Sequence, residues 1–268
     1  MIKILNIYSI GFWKLIQKLF KSKGEGYLLS GKMLVLVLLL VGYQEGRGQD
    51  MDQVTGLDKP VHNYKLYEAV QVQNFVSERE LAKYPKANFE KYPMGKYMVD
   101  FTKINQLQAG YMLSDEILDL PLWVTNDDYG RDTLTLRSEM DKEWLILDFW
   151  TEWCGPCIKS MNKWEKRVEE QEFSLNLLGV YTDFYPHKAM VEARRKGYKS
   201  VQIIGESMAV LKALFLGEKT YLGPSVWIKN GRLFGVSDAE KMSDEEYREV
   251  LSGKIMTIPA HAVYKGRL

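Results

Sequence analysis

Both cysteines of this chain lie in one short stretch, Cys154-Gly-Pro-Cys157, at the junction of two segments with different hydrophobic periods. Ahead of them, Glu143-Trp-Leu-Ile-Leu-Asp-Phe-Trp150 is a continuous apolar run holding a single aspartate, the pattern of a strand buried on both faces. Behind them, Ile158, Met161, Trp164 and Val168 recur at helical spacing. Strand, tight turn and helix therefore follow one another directly, and Pro156 suits the opening turn of a helix, where its missing N–H is not needed.

That junction carries chemistry. The spacing puts one thiol at the helix N-terminus and the other one turn in, close enough to close an intramolecular disulfide. Unpaired N–H groups and the partial positive charge of the helix end stabilise a thiolate at Cys154, which makes Cys154 the expected nucleophile. It would attack a substrate disulfide, and Cys157 would resolve the mixed disulfide by attacking Cys154. Half of a zinc site is a poor alternative, because zinc needs about four ligands and His62, His187 and His261 show no finger spacing. A purely structural disulfide is another, but so small a loop gains little entropy when closed.

The stretch Leu147-Asp-Phe-Trp-Thr-Glu-Trp-Cys-Gly-Pro-Cys157 resembles the active site of the thioredoxin superfamily. Further segments fit that resemblance over roughly residues 108–253. Asn176–Tyr181 reads as the next parallel strand, 187–197 as a helix, and Leu222–Phe234 as a proline-led hairpin with an Asn-Gly turn. A leading hairpin is expected from Leu120–Asn126 and Thr133–Arg137, and a strand and helix, Ser200–Ile204 and Ser207–Leu216, are inserted before Pro224. With a secretion signal, these additions are similar to the TlpA/ResA-like extracytoplasmic branch. The implied fold is a thioredoxin-like α/β fold: a central mixed sheet flanked by helices, with an N-terminal hairpin and a strand–helix insertion.

Residue by residue, the resemblance implies that Asp148 is the buried acid that takes a proton from Cys157, with burial raising its pKa towards the range of a general base. A hydrogen-bonded structural acid is the alternative. Gly179 stands where plain thioredoxins place a lysine partner for that acid, so the proton path must run through water or another group. Pro224 matches the family's cis-proline beside the dithiol, which would free the preceding backbone edge to pair with an extended substrate. Trp153 is expected to flank the nucleophile and pack on substrate, or else to be a core residue; Gly155, Pro156 and Gly223 complete the expected substrate-binding surface.

The N-terminal part reads differently. Residues 1–32 hold six lysines against Glu25, a net charge of +5, and are followed by the apolar run Met33–Val41 and a polar exit. A signal peptide cleaved after Gly48 is expected, with a retained membrane-surface anchor or a buried helix as alternatives. No cysteine lies near that run to carry a lipid. Residues 49–107 form a Tyr- and Lys-rich extension without a readable fold, apart from one helix over 77–84 ahead of Pro85 and Pro93. Its tyrosines and phenylalanines are expected to pack on the next domain, a carbohydrate or peptide platform being the other reading. Residues 254–268 are a C-terminal tail.

With 36 Lys+Arg against 35 Asp+Glu, the net charge of +1 argues against nucleic acid as the main ligand. The expected function is a thiol–disulfide oxidoreductase, a reductase of protein disulfides outside the cytoplasm, in the periplasm or cell envelope, since Gly-Pro between the cysteines resembles the reducing members of the family. Its partners would be disulfide-containing proteins and a membrane electron donor that re-reduces it; no cofactor or metal is expected. The alternatives are a disulfide oxidase, or a redox-silent binding or holdase module. A peroxiredoxin is disfavoured because its peroxidatic cysteine sits in a Pro- and Thr-containing loop with a nearby arginine, not in a Cys-x-x-Cys turn.

Overall fold

The computed structural model describes residues 60–63, 68–74, 78–85, 89–93, 95–101, 104–217 and 223–259. The expected signal peptide or anchor lies outside the described residues, among which no helix is long and apolar enough to cross a membrane.

The extension forms a three-stranded antiparallel sheet in the order β1-β2-β3, from Pro60–Asn63, Glu68–Asn74 and Gly95–Val99. A short helix α1, Glu78–Lys83, matches the helix expected there. Tyr97 and Phe101 join the main core, Tyr92 packs on the second core, and Tyr84 and Phe89 stand edge-on to His187 at 4.9 and 4.8 Å. These aromatic residues of the extension thus serve as packing surface.

After a four-residue helix, α2 (Asp115–Leu118), the expected leading hairpin forms between β4 (Leu122–Thr125) and β5 (Thr133–Leu134). The remaining elements are β6 (Trp144–Trp150), α3 (Gly155–Glu170), β7 (Leu175–Tyr181), α4 (Pro186–Lys196), β8 (Val201–Ile203), α5 (Gly205–Leu211), β9 (Ser225–Lys229), β10 (Arg232–Ser237) and α6 (Asp244–Leu251). A π-helical turn, Lys212–Leu216, extends α5. One seven-stranded sheet runs β10-β9-β6-β7-β8-β4-β5, with β6, β7 and β8 parallel and the other pairings antiparallel. This mixed sheet flanked by helices agrees with the expected thioredoxin-like α/β fold.

β6 lies in the interior of that sheet, and all seven of its residues are buried. Its period-two alternation divides them between two cores: Leu145, Leu147 and Phe149 point into one, while Trp144, Ile146 and Trp150 join Cys157, Met161 and Trp164 of α3 in the other. Each such apolar side chain contributes about 1.5–3 kcal/mol by leaving water. Asp148 falls on the α3 side of this alternation, the one acid among the tryptophans. The β9–β10 turn is made by Asn230 (φ 47°) and Gly231 (φ 79°), the positive-φ pair that an Asn-Gly hairpin requires.

Candidate active site

The end of β6 delivers the chain through Thr151–Trp153 to α3, whose N-cap is Cys154. Its sulfur accepts a hydrogen bond from the Cys157 N–H at 3.3 Å, so this sulfur sits on the helix end. No acid lies in the first turn of α3 to compete with a thiolate there. Cys154 and Cys157 are joined as a disulfide, with Cα atoms 5.3 Å apart. Cys157 is fully buried, whereas Cys154 is half-buried and reachable. In this disulfide only the Cys154 sulfur is on the accessible side.

Asp148 is completely buried. Burial pushes its carboxyl up to about 8, against the opposing pull of hydrogen bonds from Ser225 and Ser160. Ser160 Oγ donates to Oδ1 at 2.7 Å, and Ser225 Oγ donates to the same oxygen. Trp164 Nε1 in turn donates to Ser225 Oγ at 2.9 Å. Oδ2 has no hydrogen-bond partner among the described residues. The carboxyl is therefore held by one oxygen, and burial keeps its proton on further towards neutral pH than that of an ordinary aspartate.

Gly179 is the register partner of Asp148 on β7, as the sequence suggested. The room left by its missing side chain is taken by Gln202: a Cβ on Gly179 would clash with the Gln202 side-chain amide. The amide oxygen accepts from Trp150 Nε1 at 2.7 Å, while Nε2 donates to Ser200 O and Oγ. In place of a lysine, a neutral amide from β8 spans the strand beside the acid.

Pro224 requires a correction. It does lie beside the dithiol, since a Cβ on its neighbour Gly223 would come within 3.0 Å of Cys157 Sγ, and its carbonyl accepts from the Phe149 N–H at 3.1 Å. No cis peptide bond occurs among the described residues, however, so the Gly223–Pro224 bond is trans. Gly223 turns the chain instead, at φ +95°, a conformation that side chains with a Cβ rarely adopt. The expected cis-proline, and the substrate-pairing edge that rested on it, are set aside.

Trp153 is 64% exposed next to Cys154, which removes the core-packing alternative. Its Nε1 donates to Asp183 Oδ2 at 3.1 Å, and Phe184, also exposed, follows Asp183 in sequence. Gly155 and Pro156 are exposed on the first turn of α3. Behind Trp153, Glu152 accepts from the Tyr181 hydroxyl and from Thr151 Oγ1 at 2.9 Å, with Lys188 Nζ at 3.8 Å. Burial pushes Glu152 up, but these donors hold it below the usual carboxylate range. Among the described residues no three His, Cys, Asp or Glu side chains gather as a metal site.

Sequence reasoning missed Ser160, Ser225, Trp164 and Gln202. The available signal was polarity on an apolar face: Ser160 interrupts the Cys157–Met161–Trp164 face of α3, and Ser225 directly precedes the apolar Val226-Trp-Ile228 of its strand.

No protein-family model matches the chain, and no curated protein matches it. Among solved structures, it is similar to a proposed protein disulfide isomerase from Bacteroides thetaiotaomicron, at 20% identity over 55% of this chain and 88% of that one, with a TM-score of 0.42. A PrxQ mutant from Xylella fastidiosa is 19% identical over 56% of this chain and 96% of that one, with a TM-score of 0.44. A proposed thiol:disulfide interchange protein DsbE from Chlorobium tepidum is 17% identical over 55% and 99%, with a TM-score of 0.41. These likenesses concern about half of this chain, and at such values they assign it no activity.

Proposed function

We propose that this chain is a thiol–disulfide oxidoreductase acting on protein disulfides outside the cytoplasm, and that it works as a reductase. The observation that carries the reading is a reachable sulfur, Cys154, on a helix end, bonded to a buried partner, Cys157, in the same core as the acid Asp148. In the reduced form the Cys154 thiolate attacks one sulfur of a substrate disulfide. A Cys154–substrate bond forms, the substrate S–S bond breaks, and one substrate sulfur leaves as a thiolate. The ionised Asp148 carboxyl then takes the Cys157 proton, and Cys157 attacks Cys154. The second substrate thiolate leaves, and the chain keeps the Cys154–Cys157 disulfide, having given up two electrons. A membrane electron donor returns them.

Trapping tests this sequence of steps. Cys157→Ser should accumulate a mixed disulfide on Cys154, detected by non-reducing electrophoresis and mass spectrometry, whereas Cys154→Ser should trap nothing. Capture by Cys157 in the absence of Cys154 would sink the assignment. Direction is tested by the reduction potential of the dithiol. A value near thioredoxin's, about −270 mV, supports a reductase, and one near DsbA's, about −120 mV, makes the chain an oxidase. A chain whose two thiols do not interconvert with a disulfide under glutathione buffers would be the redox-silent binding module.

A further inference from the structure

We propose that Ser160 and Ser225 are positioning residues, which hold the Asp148 carboxyl by Oδ1 and leave Oδ2 as the oxygen that exchanges a proton with Cys157. The inference deepens the proposed mechanism and rests on it. Both hydroxyls converge on Oδ1, and the two Oγ atoms stand 3.2 Å apart. Each serine has one proton to give. When both are given to Oδ1, the 3.2 Å Oγ–Oγ contact carries none, and the Trp164 indole donates into the Ser225 oxygen. Trp164 thereby fixes which way the Ser225 hydroxyl points.

Ser160 lies three residues beyond Cys157 on the buried face of α3, so one helix face presents both the resolving sulfur and one of the carboxyl's donors. Ser225 reaches Asp148 from its register position on β9. No ion pair to Asp148 forms among the described residues. From α3 it meets Ser160, its register partner on β7 is Gly179, and its register partner on β9 is Ser225. Tyr247 of α6 and Tyr198 ahead of β8 feel its charge, burial being the larger reason that their own ionisation is suppressed. The cation Arg167 is stacked on the Tyr247 ring at 4.3 Å and paired with Asp244 at 2.9 Å. Two neutral hydroxyls are thus what supports the carboxylate while it is ionised, before it takes the proton of Cys157.

The test uses the full chain, with the Asp148 carboxyl followed by infrared difference titration and the resolution step followed by its rate against pH. Removing a hydroxyl that favours the ionised form should move both profiles upward, by about one pH unit for Ser225→Ala and by less for Ser160→Ala. Ser225→Thr, which keeps the hydroxyl, should restore the parental profile. Trp164→Phe, which frees the Ser225 hydroxyl to turn away, should shift it in the same direction by less, and serves if an alanine variant does not fold. In an Asp148→Asn background the serine substitutions should leave the rate profile unchanged. If Asp148→Asn removes the inflection while the serine variants leave it in place, the positioning role is wrong and the role of Asp148 survives. If Asp148→Asn itself leaves the inflection, the acid has no part in resolution and this inference falls with it.

Discussion

Replacing Asp148 by asparagine should stabilise the oxidised protein, by an amount that grows with pH along a slope set by the burial of one carboxyl. In the unfolded chain that carboxyl titrates near its ordinary value of 3.8, while in the folded protein burial pushes it up to about 8. A raised acid pKa means that the folded state holds the proton longer than the unfolded state. Below about pH 4 both states are protonated and the group is neutral in the balance. Between about pH 4 and 8 the unfolded state gains by ionising, and stability falls by about 1.4 kcal/mol per pH unit. At pH 7 the loss is about 4 kcal/mol, and above pH 8 it levels off at about 6 kcal/mol.

Asparagine does not titrate and can still accept both serine hydroxyls at its carbonyl oxygen. Its amide would occupy the place of Oδ2, which has no partner, at a cost of about 1–3 kcal/mol. The variant should therefore be about 1–3 kcal/mol more stable than the parent at pH 7, and less stable below pH 4. Urea denaturation of parent and variant at half-unit steps from pH 4 to 9, with the disulfide intact, measures the difference with other titrations cancelled. A difference that stays flat with pH would refute the reasoning, because it would mean that the carboxyl titrates alike in both states. The same variant should reduce disulfides more slowly, so stability and turnover should move in opposite directions.

Alkylation of the reduced protein at mildly acidic pH should modify Cys154 before Cys157, because one thiol is reachable on the helix end and the other is fully buried; peptide mass mapping reads the order. Gly179→Ala should drive the Gln202 amide off Trp150 Nε1 and cost about 1–3 kcal/mol in urea denaturation, since that indole is left buried and unsatisfied. Trp153→Ala should change stability by less than about 0.5 kcal/mol because the ring is largely exposed, yet raise KM for a disulfide substrate; an unchanged KM would make the ring a bystander.

The strand–turn–helix at residues 143–168 was legible because three independent signals coincide there: an apolar run, a helical period and a cysteine spacing that chemistry requires. The Asn-Gly hairpin, the parallel strand at 175–181 and the leading β4–β5 hairpin were legible for the same kind of local reason. The extension was not, because strands β1 and β3 are defined by their pairing with β2 and by the core that Tyr97 enters, neither of which leaves a period in the sequence.

The isomer before Pro224 shows the limit of a motif. The resemblance implied a cis bond, but the glycine that precedes this proline can bend the chain at positive φ, and a trans bond then suffices. The serines that hold Asp148 mark a deeper limit. Sequence alone determined that a dithiol would sit on a helix end above a buried strand, since each of those facts depends on residues within one turn or one strand of each other. Beyond Gly179, only the tertiary structure decided what surrounds the acid, because Ser160, Ser225 and Gln202 come from three elements, α3, β9 and β8. The strength of a buried carboxyl is set by whatever the fold brings within a few ångströms of it.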